Sequence, residues 1–325
     1  MKTCIVGAGA IGVFFGARLA AAGSDVAALA RGKTAQALRE YGWRLASGGQ
    51  LLRAPARVAE TAAELGRQDL VVLAVKVPAL AEACAAIAPL LGSSTTVMTA
   101  MNGVPWWFFQ GFGGAYAGMR LPSVDPGAHI AAVIAPERVL GCVVHASCST
   151  LEPGMTSNAV GRRLILGEPD GRRSARLDAI ASLFADAGFE VETSDCIQRD
   201  VWYKLWGNMT MNPVSALTGA TMDRILDDEF ANAFCLAVMR EAAAIGAAIG
   251  CPIAQNGEDR NAVTRKLGAV KTSMLQDVEA GRPVEIDALL SAPREIGAAV
   301  GVPTPYLDSL LGLSRLQAQT RGLYR

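Results

Sequence analysis

Short apolar runs alternate with helix-compatible stretches over the first part of the chain. The clearest run, Asp69 to Val75, is almost continuously apolar, which is typical of a strand buried on both faces. Similar runs at Thr3–Val6 and Val26–Ala30 flank a helical pattern from Ile11 to Ala22, and Gly23 marks the end of that helix. This strand, helix, strand order predicts parallel strands joined by a right-handed crossover.

The alternation continues to about Ser194 and then stops. Beyond it, Ala- and Leu-rich stretches with helical spacing extend to the end of the chain. We therefore expect an α/β fold, with a Rossmann-like parallel-sheet domain over residues 1–193 followed by an all-helical domain over residues 194–325. Further strands are predicted at Thr95–Ala100, Val139–Ser149, Arg163–Gly167 and Phe189–Thr193, and further helices at Pro78–Leu91 and Ser174–Ala187.

One segment, Trp106 to Pro136, fits neither periodicity. It is rich in aromatic residues, Gly and Pro, and loops of this length in compact domains tend to be functional or mobile. Its sequence is compatible with a lid, a dimer contact or a packed subdomain.

The composition limits the kinds of partner and metal site that the chain can have. Thirty Lys and Arg balance thirty Asp and Glu, so no charge excess points to nucleic acid or to an anionic membrane. No uncharged apolar run reaches the roughly 18 residues of a bilayer span. The two histidines, His129 and His145, are too few for a His-rich metal cage, so we expect no metal.

The seven cysteines include no CxxC pair, which is typical of reduced thiols in a cytoplasmic protein. We therefore expect a cytoplasmic protein with a small-molecule partner, and the sequence is also compatible with a homodimer.

The first predicted turn carries the pattern GxGxxG, formed by Gly7, Ala8, Gly9, Ala10, Ile11 and Gly12. Because it follows a strand and opens a helix, the motif predicts a dinucleotide site. Gly7 makes the tight turn, Gly9 lets the backbone approach a pyrophosphate, and Gly12 allows close packing of helix on strand. The free N–H groups of the helix N-terminus bind the anion.

The end of the second strand distinguishes NADP from NAD. NAD enzymes place an acidic residue there for the ribose 2′-hydroxyl, whereas this chain has Arg31 and Lys33. Two cations suit a 2′-phosphate, so NADP (NADPH) is the expected cofactor. The alternative is that both are ordinary solvated charges.

Polar residues also follow the next two strands, Lys76 after Asp69–Val75 and Asn102 after Thr95–Ala100. Ligands of open α/β sheets bind just outside the carboxyl ends of the strands, so both are candidate cofactor contacts. Turn chemistry alone is the alternative, especially for the dipeptide Asn102-Gly103.

In the helical domain, Lys204, Asn208 and Asn212 are spaced four residues apart and therefore line one stripe of a helix. Asparagine is a poor helix former, which favours a lined pocket over a merely solvated face. Ser273 and Glu285 lie near predicted helix starts, where capping and dipole complementation explain them equally well.

Together these motifs resemble the ketopantoate reductase family, the NADPH-dependent 2-dehydropantoate 2-reductases of pantothenate and coenzyme A biosynthesis. The resemblance extends over nearly the whole chain. It rests on GxGxxG, the lysine after the buried strand, Asn-Gly, the K-x-x-x-N-x-x-x-N-P run from Lys204 and the S-M-x-Q-D…R-x-x-E-I-D run from Ser273.

The resemblance implies a role for each matching residue. Lys204 matches the general acid, which also contacts the substrate, and Glu285 matches a glutamate that approaches cofactor, substrate and the catalytic lysine. The substrate-binding positions match Asn208, Asn212 and Ser273, the last of them at the substrate carboxylate. The cofactor contacts match Gly7 to Gly12, Arg31, Lys76 and Asn102.

Three departures from the family pattern are present. The segment between Asn102 and Gly141 is longer than we expect for the family, and Met222 stands where some members have an asparagine. Both changes predict a reshaped, more apolar substrate pocket. Leu289-Leu290-Ser291 also replaces the usual Asn-Gly after Glu-Ile-Asp, a change with no assigned effect.

The expected activity is NADPH-dependent reduction of 2-dehydropantoate to pantoate. One alternative is a paralogous reductase of another, more apolar 2-oxo acid. From a different class, the chain is also compatible with a non-catalytic NADP(H)-sensing binding protein, which has no need of all five residues of the helical domain together. A histidine-based hydroxyacid dehydrogenase is disfavoured because His145 lies within a predicted strand.

Overall fold

The computed structural model describes all 325 residues, which form ten strands and twelve α-helices. The strands are β1 (Thr3–Val6), β2 (Val26–Leu29), β3 (Trp43–Ser47), β4 (Gln50–Ala54), β5 (Arg57–Ala59), β6 (Gln68–Leu73), β7 (Leu91–Thr99), β8 (Val139–Glu152), β9 (Met155–Gly167) and β10 (Glu190–Thr193). The helices are α1 (Ala10–Ala21), α2 (Gly32–Tyr41), α3 (Leu80–Ala86), α4 (His129–Val133), α5 (Ala175–Asp186), α6 (Ile197–Thr218), α7 (Met222–Asp227), α8 (Glu229–Ala248), α9 (Gly257–Arg265), α10 (Ser273–Glu279), α11 (Ala292–Val300) and α12 (Pro305–Thr320). A π-helical turn spans Asp287–Ser291.

All ten strands join one sheet in the order β4-β3-β9-β8-β7-β6-β1-β2-β5, with β10 paired to β9. Every pair from β8 to β5 along this path is parallel, which confirms the predicted Rossmann-like α/β fold. The sheet is not wholly parallel, because β8 pairs with β9 and β3 with β4 in antiparallel ladders.

Three short strands, β3, β4 and β5, have no counterpart among the predicted elements. Their sequences, WRLAS, QLLRA and RVA, are at most five residues long and carry charged residues. Runs this short give too few apolar positions to distinguish a strand from a loop.

Contacts divide the chain into two compact units. The sheet unit contains Met1–Met101 and Ala128–Ile197, and the helical unit contains Asn102–Gly127 and Gln198–Arg325. These units differ from the predicted division at residues 193 and 194 chiefly because residues 102–127 group with the helices. The chain therefore leaves the sheet unit after β7 and returns to it just before α4.

The core of the sheet unit is built around α1, which is buried on most of its surface. Phe14 and Phe15 of α1 make edge-to-face contacts with Phe189 and Phe184, with ring centroids 5.1 and 5.3 Å apart. Such pairs add to the free energy gained by burial. These contacts hold the helix that follows the glycine motif in a fixed position on the sheet.

The aromatic residues Trp106 to Phe109 are packed within the helical unit. All four are buried, and the Phe108 ring lies 5.1 Å from Phe109 and 5.9 Å from Trp202 of α6, measured between centroids. Of the three alternatives for this region, residues 102–127 therefore form a packed part of the helical unit. The side chains of these four residues leave almost no surface for a substrate. They therefore do not support the prediction of a more apolar substrate pocket.

Helix α8 is long and apolar enough to cross a membrane by length and composition alone. It is also a core helix of the helical unit, because residues such as Cys235, Val238, Met239 and Ile245 are fully buried in it. A core helix of this kind passes the same test, so the finding is weak support for a membrane span.

Candidate active site

The glycine motif occupies the turn between β1 and α1. The space around the Cβ position differs among its three glycines. Gly7 has φ +90°, and a Cβ there would lie 2.5 Å from Val75 Cγ1. A Cβ at Gly12 would lie 2.0 Å from the Gly7 carbonyl oxygen, so the helix packs directly on the turn. Gly9 has no atom within 4 Å of its Cβ position, which leaves open space beside the backbone.

The N-terminus of α1 has the features of an anion site. Gly9 is its N-cap and provides no side-chain acceptor, and its first turn carries no acidic residue. The first N–H groups of a helix have no intrahelical partner and lie at the positive end of its dipole. The turn therefore fits a pyrophosphate group, with Gly9 providing the room for its approach.

The register of the parallel strands brings their carboxyl ends level. Val6 of β1 pairs with Leu29 of β2 and Leu73 of β6, and Leu73 pairs with Thr99 of β7. Gly7, Arg31 and Lys76 therefore follow paired strands at the same edge of the sheet. Lys76 is exposed there, immediately before a 3-10 turn at Val77–Ala79.

Arg31 is the N-cap residue of α2, and Lys33 lies in the first turn of that helix. The Arg31 guanidinium forms an ion pair with Glu82 at 2.7 Å, in which the two side chains are 71% and 67% exposed. Exposed pairs of this kind contribute little free energy, so Arg31 can exchange Glu82 for another anion at small cost.

In the helical unit, the polar stripe of α6 consists of Lys204, Asn208 and Asn212. Lys204 and Asn208 are half-buried, and Asn212 is buried. Lys204 Nζ donates a hydrogen bond to Asn102 Oδ1 at 2.8 Å, so two predicted site residues 102 positions apart are in direct contact.

The backbone around Asn102 is fixed by the π-helical turn. Gly103 has φ +80°, and a Cβ there would lie 2.4 Å from the Ala288 carbonyl oxygen. The next residue, Val104, donates its N–H to the same oxygen at 2.8 Å. Gly103 therefore permits the close approach that holds Asn102 beside Lys204, and this role was not anticipated from the Asn-Gly dipeptide.

The side-chain amides of Asn208 and Asn212 have no hydrogen-bond partner within the protein. No nitrogen or oxygen atom of either amide is fully buried, so both amides remain accessible and are suited to binding a polar ligand. On the opposite side of α6, Trp202 and Trp206 donate their indole N–H groups to the carbonyls of Ala242 and Met239 on α8. These two bonds fix the rotation of α6 and hence the direction of the stripe.

Ser273 and Glu285 lie beside other helix starts. The cap of α10 is Thr272, whose hydroxyl accepts the Leu275 N–H at 3.2 Å, so Ser273 is exposed and does not perform the capping role. Glu285 is half-buried and precedes the π-helical turn by two residues. Met222, the first residue of α7, is half-buried and donates its N–H to the Val270 carbonyl.

A further cation lies against α6 that the sequence did not single out. Arg260 of α9 packs on Gly207, where a Cβ would lie 3.0 Å from Arg260 Nη2. Its guanidinium also lies 5.7 Å from the centroid of the Tyr203 ring. Glycine at 207 is the visible sequence signal, because a glycine inside a helix indicates close approach of another group.

Comparison with known proteins gives consistent results. Residues 3–106 match the family model described as ketopantoate reductase PanE/ApbA, and residues 196–318 match the model of its C-terminal part. A 2-dehydropantoate 2-reductase from Mesorhizobium japonicum is 46% identical over 325 residues, covering 100% of both chains.

Solved structures agree with these matches. A crystal structure assigned as a ketopantoate reductase, from Ralstonia solanacearum MolK2, is 59% identical, covers 99% of both chains and has a TM-score of 0.94. A D-mandelate dehydrogenase in complex with NADH and anilino(oxo)acetate has a TM-score of 0.84, with 99% of this chain and 100% of that chain covered. At 21% identity, that second likeness concerns the fold alone.

Proposed function

The chain belongs to the ketopantoate reductase family, and from that membership we propose that it catalyses the NADPH-dependent reduction of 2-dehydropantoate to pantoate. The observation that carries the proposal is the hydrogen bond from Lys204 to Asn102, beside two asparagine amides that have no protein partner. An ammonium group and free amides on one helix face suit a small, oxygen-rich substrate.

Lys204 performs the proton transfer in this proposal. Reduction of a 2-oxo acid adds a hydride to the carbonyl carbon, and the reduced nicotinamide supplies that hydride when bound. Negative charge then develops on the carbonyl oxygen, where the Lys204 ammonium stabilises it and donates the proton that completes the hydroxyl group. Asn102 orients the ammonium through its side-chain oxygen.

The remaining site residues bind and orient. Asn208 and Asn212 donate and accept hydrogen bonds with the substrate's oxygen atoms, a role suited to amides that have no other partner. Ser273 is exposed, and Thr272 rather than Ser273 caps α10, so the Ser273 hydroxyl contacts the substrate carboxylate. Glu285 completes the site beside the lysine, as the family resemblance implies.

NADPH is the proposed cofactor, and the family resemblance assigns its contacts to Gly7–Gly12, Arg31, Lys76 and Asn102. Gly7 to Gly12 and the N-terminus of α1 bind the pyrophosphate, and Lys76 contacts the cofactor at the same sheet edge. Arg31 binds the 2′-phosphate after releasing Glu82, because a doubly charged phosphate is a stronger partner than one exposed carboxylate. We further propose a cytoplasmic location, since an odd number of cysteines with no CxxC pair is typical of reduced thiols in that compartment.

A panel of 2-oxo acids assayed for NADPH oxidation tests the proposal. We expect the highest kcat/KM with 2-dehydropantoate and a lower value with acids that carry larger apolar groups. Preference for a bulkier apolar acid would instead establish the paralogous reductase, for which Met222 is the remaining support. NADPH binding without any turnover across the panel would indicate a sensor.

A further inference from the structure

Arg260 is a cation on the edge of the polar stripe that the proposed mechanism does not use. Its guanidinium forms no ion pair, and its one side-chain acceptor is Thr264 Oγ1 at 3.2 Å. Its Nε is buried without any hydrogen-bond partner. Arginine nitrogens in folded proteins are usually satisfied, so this guanidinium has unused hydrogen-bonding capacity.

Helix geometry places this cation beside Lys204. Gly207 follows Lys204 by three residues, so the two positions are neighbours on the helix surface and differ by about 60° around its axis. The guanidinium lies over Gly207, whose missing side chain leaves room for it, and the Tyr203 ring borders it on the other side. Asn208 and Asn212 extend away from Lys204 in the opposite direction around α6.

A second cation at about this position suits the binding of a 2-oxo acid. Its carboxylate is bonded directly to the carbonyl carbon, so a lysine at the carbonyl oxygen brings the carboxylate close to the same helix surface. The Ser273 hydroxyl supplies a hydrogen bond but no charge, and removing a carboxylate from water without a charge partner is costly. A guanidinium fork matches the two carboxylate oxygens.

Resting on the function proposed above, we propose that Arg260 binds the substrate carboxylate and thereby selects 2-oxo acids over uncharged ketones. Tyr203 and Thr264 hold the guanidinium in place, and Gly207 provides the space that it needs. Arg260 acts on substrate affinity, whereas Lys204 acts on the chemical step.

The first test compares Arg260→Gln with Arg265→Gln, a matched change on the same helix at a residue that is ion-paired with Asp227. We expect R260Q to raise KM for 2-dehydropantoate at least about tenfold, with kcat changed by much less. With the neutral amide of the same acid, R260Q should change kcat/KM little. The ratio of kcat/KM for the acid to that for the amide should therefore fall in R260Q. R265Q should retain the wild-type preference.

A second variant tests the role of Arg260 without removing its side chain, in case R260Q fails to fold. Gly207→Ala favours the helix, yet its Cβ would lie 3.0 Å from Arg260 Nη2 and displace the guanidinium. We expect KM to rise about three- to tenfold with an undiminished Tm. In the background of R260Q the same change should have no further effect on KM, because no guanidinium is left to displace.

The outcomes separate the two proposals. If the wild-type protein reduces no 2-oxo acid, the proposed function fails before Arg260 is tested. If it reduces 2-dehydropantoate while R260Q and G207A keep the wild-type KM and acid preference, the function stands and the role of Arg260 is refuted. Partial recovery of the acid preference by Arg260→Lys would support a charge contact with the carboxylate.

Discussion

The Lys204 ammonium is the group whose removal tests the proposed chemistry most directly. General acid assistance contributes about 10²- to 10⁴-fold to rate, so we expect Lys204→Ala to lower kcat by that range. The dissociation constant for NADPH, followed by nicotinamide fluorescence, should stay unchanged. Lys266→Ala, at an exposed lysine beyond α9, is the matched control, and turnover of K204A near the wild-type rate would remove Lys204 from the mechanism.

Arg31 and Lys33 are predicted to set cofactor preference. Hydrogen bonds to charged groups are worth about 1.5–3 kcal/mol, so the double variant Arg31→Ala, Lys33→Ala should raise KM for NADPH roughly 10- to 150-fold. KM for NADH should move little, because NADH has no 2′-phosphate. Arg39→Ala, on the same helix but paired with Glu60, provides the comparison. An equal effect on both cofactors would contradict the assignment.

Individual residues also show which features of the candidate site can be predicted from sequence and which cannot. The four-residue spacing of Lys204, Asn208 and Asn212 was enough to predict a shared helix face, because helix geometry is local. The contact between Lys204 and Asn102 was not predictable from spacing, because it depends on the tertiary packing of Gly103 against Ala288. Roles at these positions came from family resemblance, which spacing alone does not provide.

At the scale of elements, continuous apolar runs predicted the buried parallel strands correctly, whereas the predicted strand at Phe189–Thr193 is present as the charged and mostly exposed β10. β1, β2 and β6 are short or medium strands in the parallel part of the sheet, and each is mostly buried. The edge strand β4 is largely exposed, and its charged and polar residues resemble a loop in sequence. The register between strands, which aligns the cofactor residues, required the three-dimensional structure.

A buried ion pair ties the start of α5 to the strands beside it. Glu168, the residue after β9, is 1% exposed and accepts hydrogen bonds from Arg176 and Ser174. Arg176 also donates to the carbonyl oxygens of Glu137 and Val139. Burial tends to raise the pKa of Glu168, but the bonds from Arg176 and Ser174 outweigh it, so the pKa lies below its usual value.

The lowered pKa gives this pair a pH-dependent contribution to stability. A carboxyl group with a lowered folded pKa stabilises the protein above its unfolded pKa, and that stabilisation is lost as pH falls through the folded pKa. Arg176→Met leaves Glu168 buried without its partner, which should cost about 3–5 kcal/mol in the free energy of unfolding near pH 7.

Urea unfolding at several pH values measures this effect. Without Arg176, burial favours the protonated form of Glu168, so the variant should recover stability relative to wild type as pH falls from 7 toward 4.5. Arg173→Met, at an exposed pair with Asp178, should cost much less at every pH. A difference between R176M and wild type that does not change with pH would contradict this account.

At the scale of the whole molecule, the helical unit is assembled from two separate parts of the chain. Residues 102–127 supply Trp107, Phe108 and Phe109, each at most 1% exposed, to a unit whose other residues begin at Gln198. Truncating a buried Phe or Trp typically costs about 3–5 kcal/mol, and a small domain has only about 5–15 kcal/mol of stability in total.

We therefore expect residues 198–325 expressed alone to lack a cooperative unfolding transition and near-UV circular dichroism. The same fragment with residues 102–127 attached through a flexible Gly/Ser linker should recover both signals. Cooperative unfolding of residues 198–325 without that segment would show that the aromatic residues are dispensable. The sequence predicted a helical C-terminal domain but not this second contribution, because the aromatic segment has no helical periodicity of its own.

The two-part construction of the helical unit also has a consequence for how the chain is made. Trp202 leaves the ribosome about 90 residues after Phe108, a delay of roughly 5 to 20 s at ordinary rates of translation. During that interval the Trp106 to Phe109 side chains have been synthesised but the helix that they pack against has not. The nascent chain thus carries four large aromatic residues before the helix that they pack against exists, and exposed apolar surface of this kind favours aggregation during synthesis.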